Sequence, residues 1–111
     1  MPSQFAILWN PDLKEYDFGE GHPFRGRRYQ TFMPFLKERL GEKQYRIVGA
    51  EKATDEDLLL ICTREYIDFT TEYYRAAHRG AVHDGRFYQF HSADNRPIGR
   101  PGNVEEAARL I

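Results

Sequence analysis

Cysteine is nearly absent from the 111 residues: Cys62 stands alone, which excludes an intramolecular disulfide and a zinc site built only from the chain's own thiolates. An excess of charge is missing too. Sixteen Lys and Arg face seventeen Asp and Glu, so no global field draws the chain to nucleic acid or to an anionic membrane, and any basic patch must be local. Long apolar runs are also lacking: the N-terminal stretch MPSQFAILWNP has no basic leader region and a short apolar run, Phe5 to Trp9, and no window approaches a membrane-spanning length. These absences predict a soluble, unprocessed, cytoplasmic chain that binds neither nucleic acid nor membrane. Phosphate-loop chemistry is without its signature, because Gly19, Gly21 and Gly26 precede a helix but follow neither GxGxxG nor Walker spacing.

With 41% hydrophobic and 14% aromatic residues, the chain can bury one modest core, which predicts a single domain over residues 1–111. Phe5–Trp9, closed by Asn10-Pro11, suits a buried strand. Tyr29, Phe32, Met33, Leu36 and Leu40 recur at helical spacing, with Gly41 where a C-terminal cap would be. Pro34 interrupts that pattern and predicts either a kink or a helix that starts after Arg27. Tyr45 to Val48 reads as a second strand, Thr54-Asp55-Glu56-Asp57 as a capping box ahead of Leu58, and Thr63 as the cap of a helix ending before Gly80. Residues 81–102 read as loop, with Phe87 to His91 briefly extended. A last helix starts near Asn103 with the stripe Val104, Ala107, Ala108 and Ile111, and breaks off in mid-element without a cap. Strands alternating with helices indicate the α/β class with parallel pairing.

Four histidines, His22, His78, His83 and His91, raise a metal reading. Their spacing argues against it: His78 and His83 straddle Gly80 rather than sharing one helix face, and no HExxH, DxH or HxH occurs. Cys62 lies beside the apolar Leu58 to Ile61 and reads as a buried, inert thiol. The arginines at 25, 27 and 28 either capture an anion at a helix N-terminus or form a solvated face.

Three stretches resemble a known family. "YDFGEGHPFRGRRYQTF" is similar to the first-loop motif of the histone deacetylase and acetoin-utilisation deacetylase family, in which Gly-His-Pro precedes an arginine that opens the first long helix. "VGAEKATDEDLLLICTREYIDF" resembles the family's Lys-Ala-Thr segment and its His-Ser/Thr-x-x-Tyr-Ile signature, and "ADNRPIGRPGNVEEAARLI" resembles the segment where an Asp and a Pro-Gly lead into a Glu-Ala-Ala helix. They occur in the family's order and together span most of the chain. The resemblance implies an arginase-like three-layer α/β/α fold and zinc-dependent hydrolysis of acetyl-lysine or acetyl-amine amides. It implies that Arg28 lines the internal cavity through which acetate leaves, its buried guanidinium holding a carboxylate, with Arg25 and Arg27 solvated. It implies that Asp94 stands at the substrate-binding rim and that His22 and Pro23 shape the loop. The family's His-His pair, its Asp-x-His and later Asp zinc ligands and its Gly-Gly-Tyr fall beyond the Glu-Ala-Ala helix, so zinc belongs to the complete family domain and no cofactor or metal ligand is expected in this chain. Cys62 stands where the family has His, Gly26 where Pro is common, and the Asp94 to Gly102 interval is longer than usual.

Three expectations follow. The chain is an N-terminal deacetylase segment, inactive without a complementing C-terminal half; or a non-enzymatic, self-associating homo-oligomer derived from that family; or an unrelated α/β domain whose arginines bind a phosphate or carboxylate.

Overall fold

The apolar run Phe5–Trp9 forms strand β1, which pairs in parallel with β2 (Tyr45–Gly49), Phe5 opposite Tyr45 and Trp9 opposite Gly49, in a computed structural model that describes residues 5–41, 43–81 and 84–111. His83, one of the candidate ligands, lies outside the described residues. Asn10 ends β1 by accepting from the Asp12 N–H (2.8 Å), which opens a 3-10 turn over Pro11–Glu15. Helix α1 (Arg27–Arg39) then carries the chain to β2. It starts at Arg27, not later, and runs through Pro34, because the carbonyl that loses its donor belongs to Gln30, on a face exposed to water. Gly41 does not cap it in the left-handed region. Leu40 ends the helix in an extended conformation, and Gln44 folds back so that its Oε1 accepts from the Gly41 N–H (2.7 Å).

Helix α2 (Asp55–Leu58) begins with the expected capping box: Thr54 Oγ1 accepts from the Asp57 N–H and the Asp57 carboxylate accepts from the Thr54 N–H. Helix α3 (Arg64–His78) is capped by Thr63. It ends in a Schellman pair, Ala81 N–H to Ala76 O and Gly80 N–H to Ala77 O, that needs Gly80 at φ +75°. Phe87–Phe90, expected to be extended, is a helical turn, α4. The reason is facial: helical spacing puts Phe87 against Tyr73 and Phe90 against Tyr66 and Phe69 on the same side, where an extended chain would turn them apart. Helix α5 (Val104–Ala108) starts at the Asn103 cap. Only Val104 and Ala107 of its expected stripe are buried; Ala108 and Ile111 are exposed.

The described residues thus form a mixed α/β structure with a two-stranded parallel sheet. Its core is not on that sheet. Phe18, Tyr73, Tyr74, Phe87 and Val104 pack together where the 16–24 loop meets α3, α4 and α5. The sheet is left open: Leu8 is 65% exposed, Phe5 52% and Ile47 42%. Helix α1 buries Leu36 but turns Phe32 and Phe35 to solvent. The radius of gyration, 16.2 Å, exceeds the roughly 13 Å of a compact chain of this length.

Candidate functional site

Asp17 organises the loop that precedes α1. Its Oδ1 accepts from the Gly19 N–H (3.0 Å), its Oδ2 accepts from the Gly26 N–H (3.2 Å), and Arg25 Nε stands 3.2 Å from Oδ1 in an ionic contact whose angle is too poor for a hydrogen bond. The Phe18 N–H donates to Phe24 O (2.8 Å), closing the loop on itself. Phe24 N–H donates to His22 Nδ1 (3.0 Å), and a nitrogen that accepts from a backbone N–H carries no hydrogen of its own. His22 Nε2 therefore carries it and donates to the Asp94 carbonyl (2.9 Å).

The 94–102 segment lies directly on this loop. Ile98 N–H donates to Phe18 O (2.6 Å) and Gly102 N–H to Asp17 O (2.7 Å). Gly19 is required here, since at φ +107° a Cβ would lie 1.6 Å from the Ile98 carbonyl oxygen. Gly26 has a similar reason: a Cβ there would lie 1.7 Å from Lys14 O, which explains why no proline stands at this position.

Arg109 ties in the third segment. It donates to Ala53 O (3.1 Å), Asp55 Oδ1 (2.9 Å) and Glu105 Oε1 (3.3 Å), while the Ala53 N–H donates to Arg109 O (2.8 Å). Lys52 pairs with Glu106 alongside. Glu105 is a buried carboxylate, 5% exposed, and its second oxygen is 3.6 Å from Arg75 Nε. Arg64 and then Arg109 hold the Asp55 carboxyl below the usual carboxylate range.

Between α3, α5 and the first loop lies a cavity of about 290 Å³, whose polar lining includes Tyr16, Tyr66, Tyr74, Thr70 and His91. Tyr74 donates its hydroxyl to Asn95 O (2.9 Å), and burial pushes its phenol well above the ordinary value. His91 Nε2 meets the Thr70 hydroxyl at 2.7 Å, its ring stacked on Phe87, and burial lowers its pKa from the ordinary value near 6.5. Half-buried Cys62 lines the same cavity, with no base hydrogen-bonded to its sulfur among the described residues, so it is less enclosed than its apolar neighbours suggested. The lining also carries the Glu105–Arg109 ion pair, and among the described residues no base is hydrogen-bonded to Cys62 to activate it as a nucleophile.

The His91 environment has a sign. Its neutral form is favoured in the folded state, so its contribution to stability is complete above pH 6.5 and is lost as pH falls and the unfolded chain takes up the proton. Urea melts between pH 7.5 and 5 are expected to show a decline of at most about 1.4 kcal/mol per pH unit from this one group. His91→Phe should flatten it.

The structure reverses the expected order of the arginines. Arg25 is the one drawn inward, onto Asp17, while Arg27 and Arg28 are exposed. Arg28 shares the open face of α1 with Phe32 and Phe35. Its guanidinium lies over the rings of Phe24 (5.6 Å) and Tyr29 (5.8 Å), and its stem borders a groove of about 330 Å³ with Ile7, Leu8, Trp9, Leu13 and Phe32. A buried guanidinium was expected at Arg28; it is exposed, because among the described residues no layer covers that face. Asp94 and Pro23 are exposed, and Asp94 reaches His22 through its carbonyl, not its carboxylate. Tyr66 lines the cavity. Asp17 and Arg109 were missed as organisers; an Asp two residues before a Gly is a signal for the first, and nothing local marks the second.

Zinc does not fit the residues present. Among the described residues no three His, Cys, Asp or Glu side chains come together; His22 engages both ring nitrogens with backbone groups, and His78 is exposed at the end of α3. No step through a metal follows from them. None of the described helices is long and apolar enough to cross a membrane. Compared with protein-family models, curated proteins and solved structures, the chain has no match.

Proposed function

We propose that these residues are the opening layers of a deacetylase-like α/β domain of the arginase type, a scaffold that supplies the floor and rim of a pocket while its metal ligands are encoded outside it. One observation carries the reading: the three segments that resemble the family, distant in sequence, are one another's partners in space. The Gly-His-Pro loop is bonded to the Asp94 segment through His22 to Asp94 O, Ile98 to Phe18 O and Gly102 to Asp17 O. The Lys-Ala-Thr segment is bonded to the Glu-Ala-Ala helix through Ala53, Asp55 and Arg109. The uncovered sheet and the exposed Phe32 and Phe35 suit a structure that awaits further layers. In the completed domain Arg28 lies under that covering as an anion-holding guanidinium, and Asp94 stands at the rim as an acceptor for substrate amides.

The test has two arms. With added zinc, this chain is expected to hydrolyse an acetyl-lysine peptide no faster than zinc alone; turnover abolished by Arg28→Ala or Asp94→Ala would place a reaction centre within these residues and sink the reading. In the coding sequence beyond the Ile111 codon, a His-His pair and an Asp-x-His within a few dozen codons is the expected result. An immediate stop would favour the second reading, a non-enzymatic self-associating module, for which the open strand β1 speaks.

A further inference from the structure

We infer that the free edge of β1 pairs with the same edge of a second copy, antiparallel about a two-fold axis at Ile7, to give a four-stranded sheet. The inference rests on surface and backbone geometry and deepens the second reading above, that of a self-associating module. Trp9 gives its carbonyl to the Ala50 N–H (2.8 Å) on the β2 side. Backbone polarity alternates along a strand, so Phe5, Ile7 and Trp9 face β2 with their N–H and C=O groups, and Ala6 and Leu8 face theirs outward. Ile7, Leu8 and Trp9 also border the groove of about 330 Å³ with Leu13, Arg28 and Phe32, to which no residue of β2 contributes.

β1 lacks two of the devices that keep a strand edge solitary. Phe5–Trp9 contains no charge and no proline, whereas β2 has Arg46 at its second position. The amount of surface points the same way. A folded monomer of 13.1 kDa exposes about 6,400 Å² by the usual scaling with mass, and this chain exposes 7848 Å². The surplus, roughly 1,400 Å², exceeds the roughly 800 Å² per partner that a stable interface takes. A net charge of −1 opposes association only weakly.

Self-pairing has one register that uses all of β1. Ala6 lies opposite Leu8 of the second copy and exchanges both backbone bonds with it, and the symmetric pair does the same. Ile7 meets Ile7 as a non-hydrogen-bonded pair, and Phe5 meets Trp9. Small then stands against large on one face, and only apolar side chains meet on the other.

Sedimentation at micromolar concentration should find a species of about 26 kDa, twice the 13.1 kDa chain. Leu8→Lys should weaken dimerisation at least about tenfold, because it places two ammonium groups at the seam. Val48→Lys, on the same sheet face but on β2, should not, and circular dichroism checks that both variants fold. On a Cys62→Ser background, Ile7→Cys should oxidise to a disulfide-linked dimer, since a non-hydrogen-bonded antiparallel pair brings Cα atoms to about 4.5 Å, whereas Phe5→Cys should not cross-link. A monomer throughout would overturn the inference while leaving the zinc and turnover tests of the deacetylase reading intact. A dimer that survives Leu8→Lys, or that cross-links through Phe5→Cys, would overturn it equally.

Discussion

Phe87→Ala is expected to lower stability by about 3–5 kcal/mol, read as a fall in the urea midpoint. Phe87 is 0% exposed and sits at the centre of the only core cluster among the described residues, its ring 4.6 Å from Tyr73 and 5.1 Å from His91 between centroids. Truncation removes the ring from Tyr73 of α3 and from His91 and leaves a void at a site closed to solvent. The loss is large against the total stability of a small domain, about 5–15 kcal/mol, so the variant should be close to unfolding at physiological temperature. Phe90→Ala is the comparison: Phe90 is only half-buried and packs on Tyr66 and Phe69 at the margin, so its loss should be clearly smaller. Equal effects would mean that the core is centred elsewhere.

Arg109→Ala is expected to cost about 3–5 kcal/mol, the range for removing one partner of a buried ion pair. Its guanidinium joins α5 to the Lys-Ala-Thr segment, and its removal leaves the Glu105 carboxylate, 5% exposed, with Arg75 Nε at 3.6 Å as its remaining cation. The penalty is chiefly that of a buried charge left under-compensated. Adding Glu105→Gln to Arg109→Ala should therefore recover part of the loss, a coupling that a double-mutant cycle reads directly. Additive effects would show that Arg109 acts through Ala53 and Asp55 instead. The first result would also tell how the third segment is held to the other two, on which the proposed function depends.

Most of the helix and strand boundaries were legible because their causes are local. The Thr54 box, the Thr63 cap and the left-handed Gly80 each act within one turn of chain, and the FAILW run makes a strand whatever lies beside it. Local signals misled where a side chain's destination lay far away in sequence. Phe87–Phe90 turned helical because Tyr73, Tyr66 and Phe69 wait on one side of it, and Gly41 ceded its cap to a Gln44 side chain. The candidate site divides in the same way. His22 was legible as a loop residue; that its Nε2 finds the Asp94 carbonyl, 72 residues on, was not.

The sequence alone determined the α/β class of the chain, the elements whose caps are local, and the absence of thiolate or nucleotide motifs. Tertiary structure alone decided which arginine turns inward, which half of the α1 stripe is covered, and that the core lies against the first loop and not against the sheet. Periodicity states that a face is apolar, but whether that face is buried depends on what another part of the chain brings to it. For Arg28, Phe32 and the edge of β1, the described residues bring no covering layer.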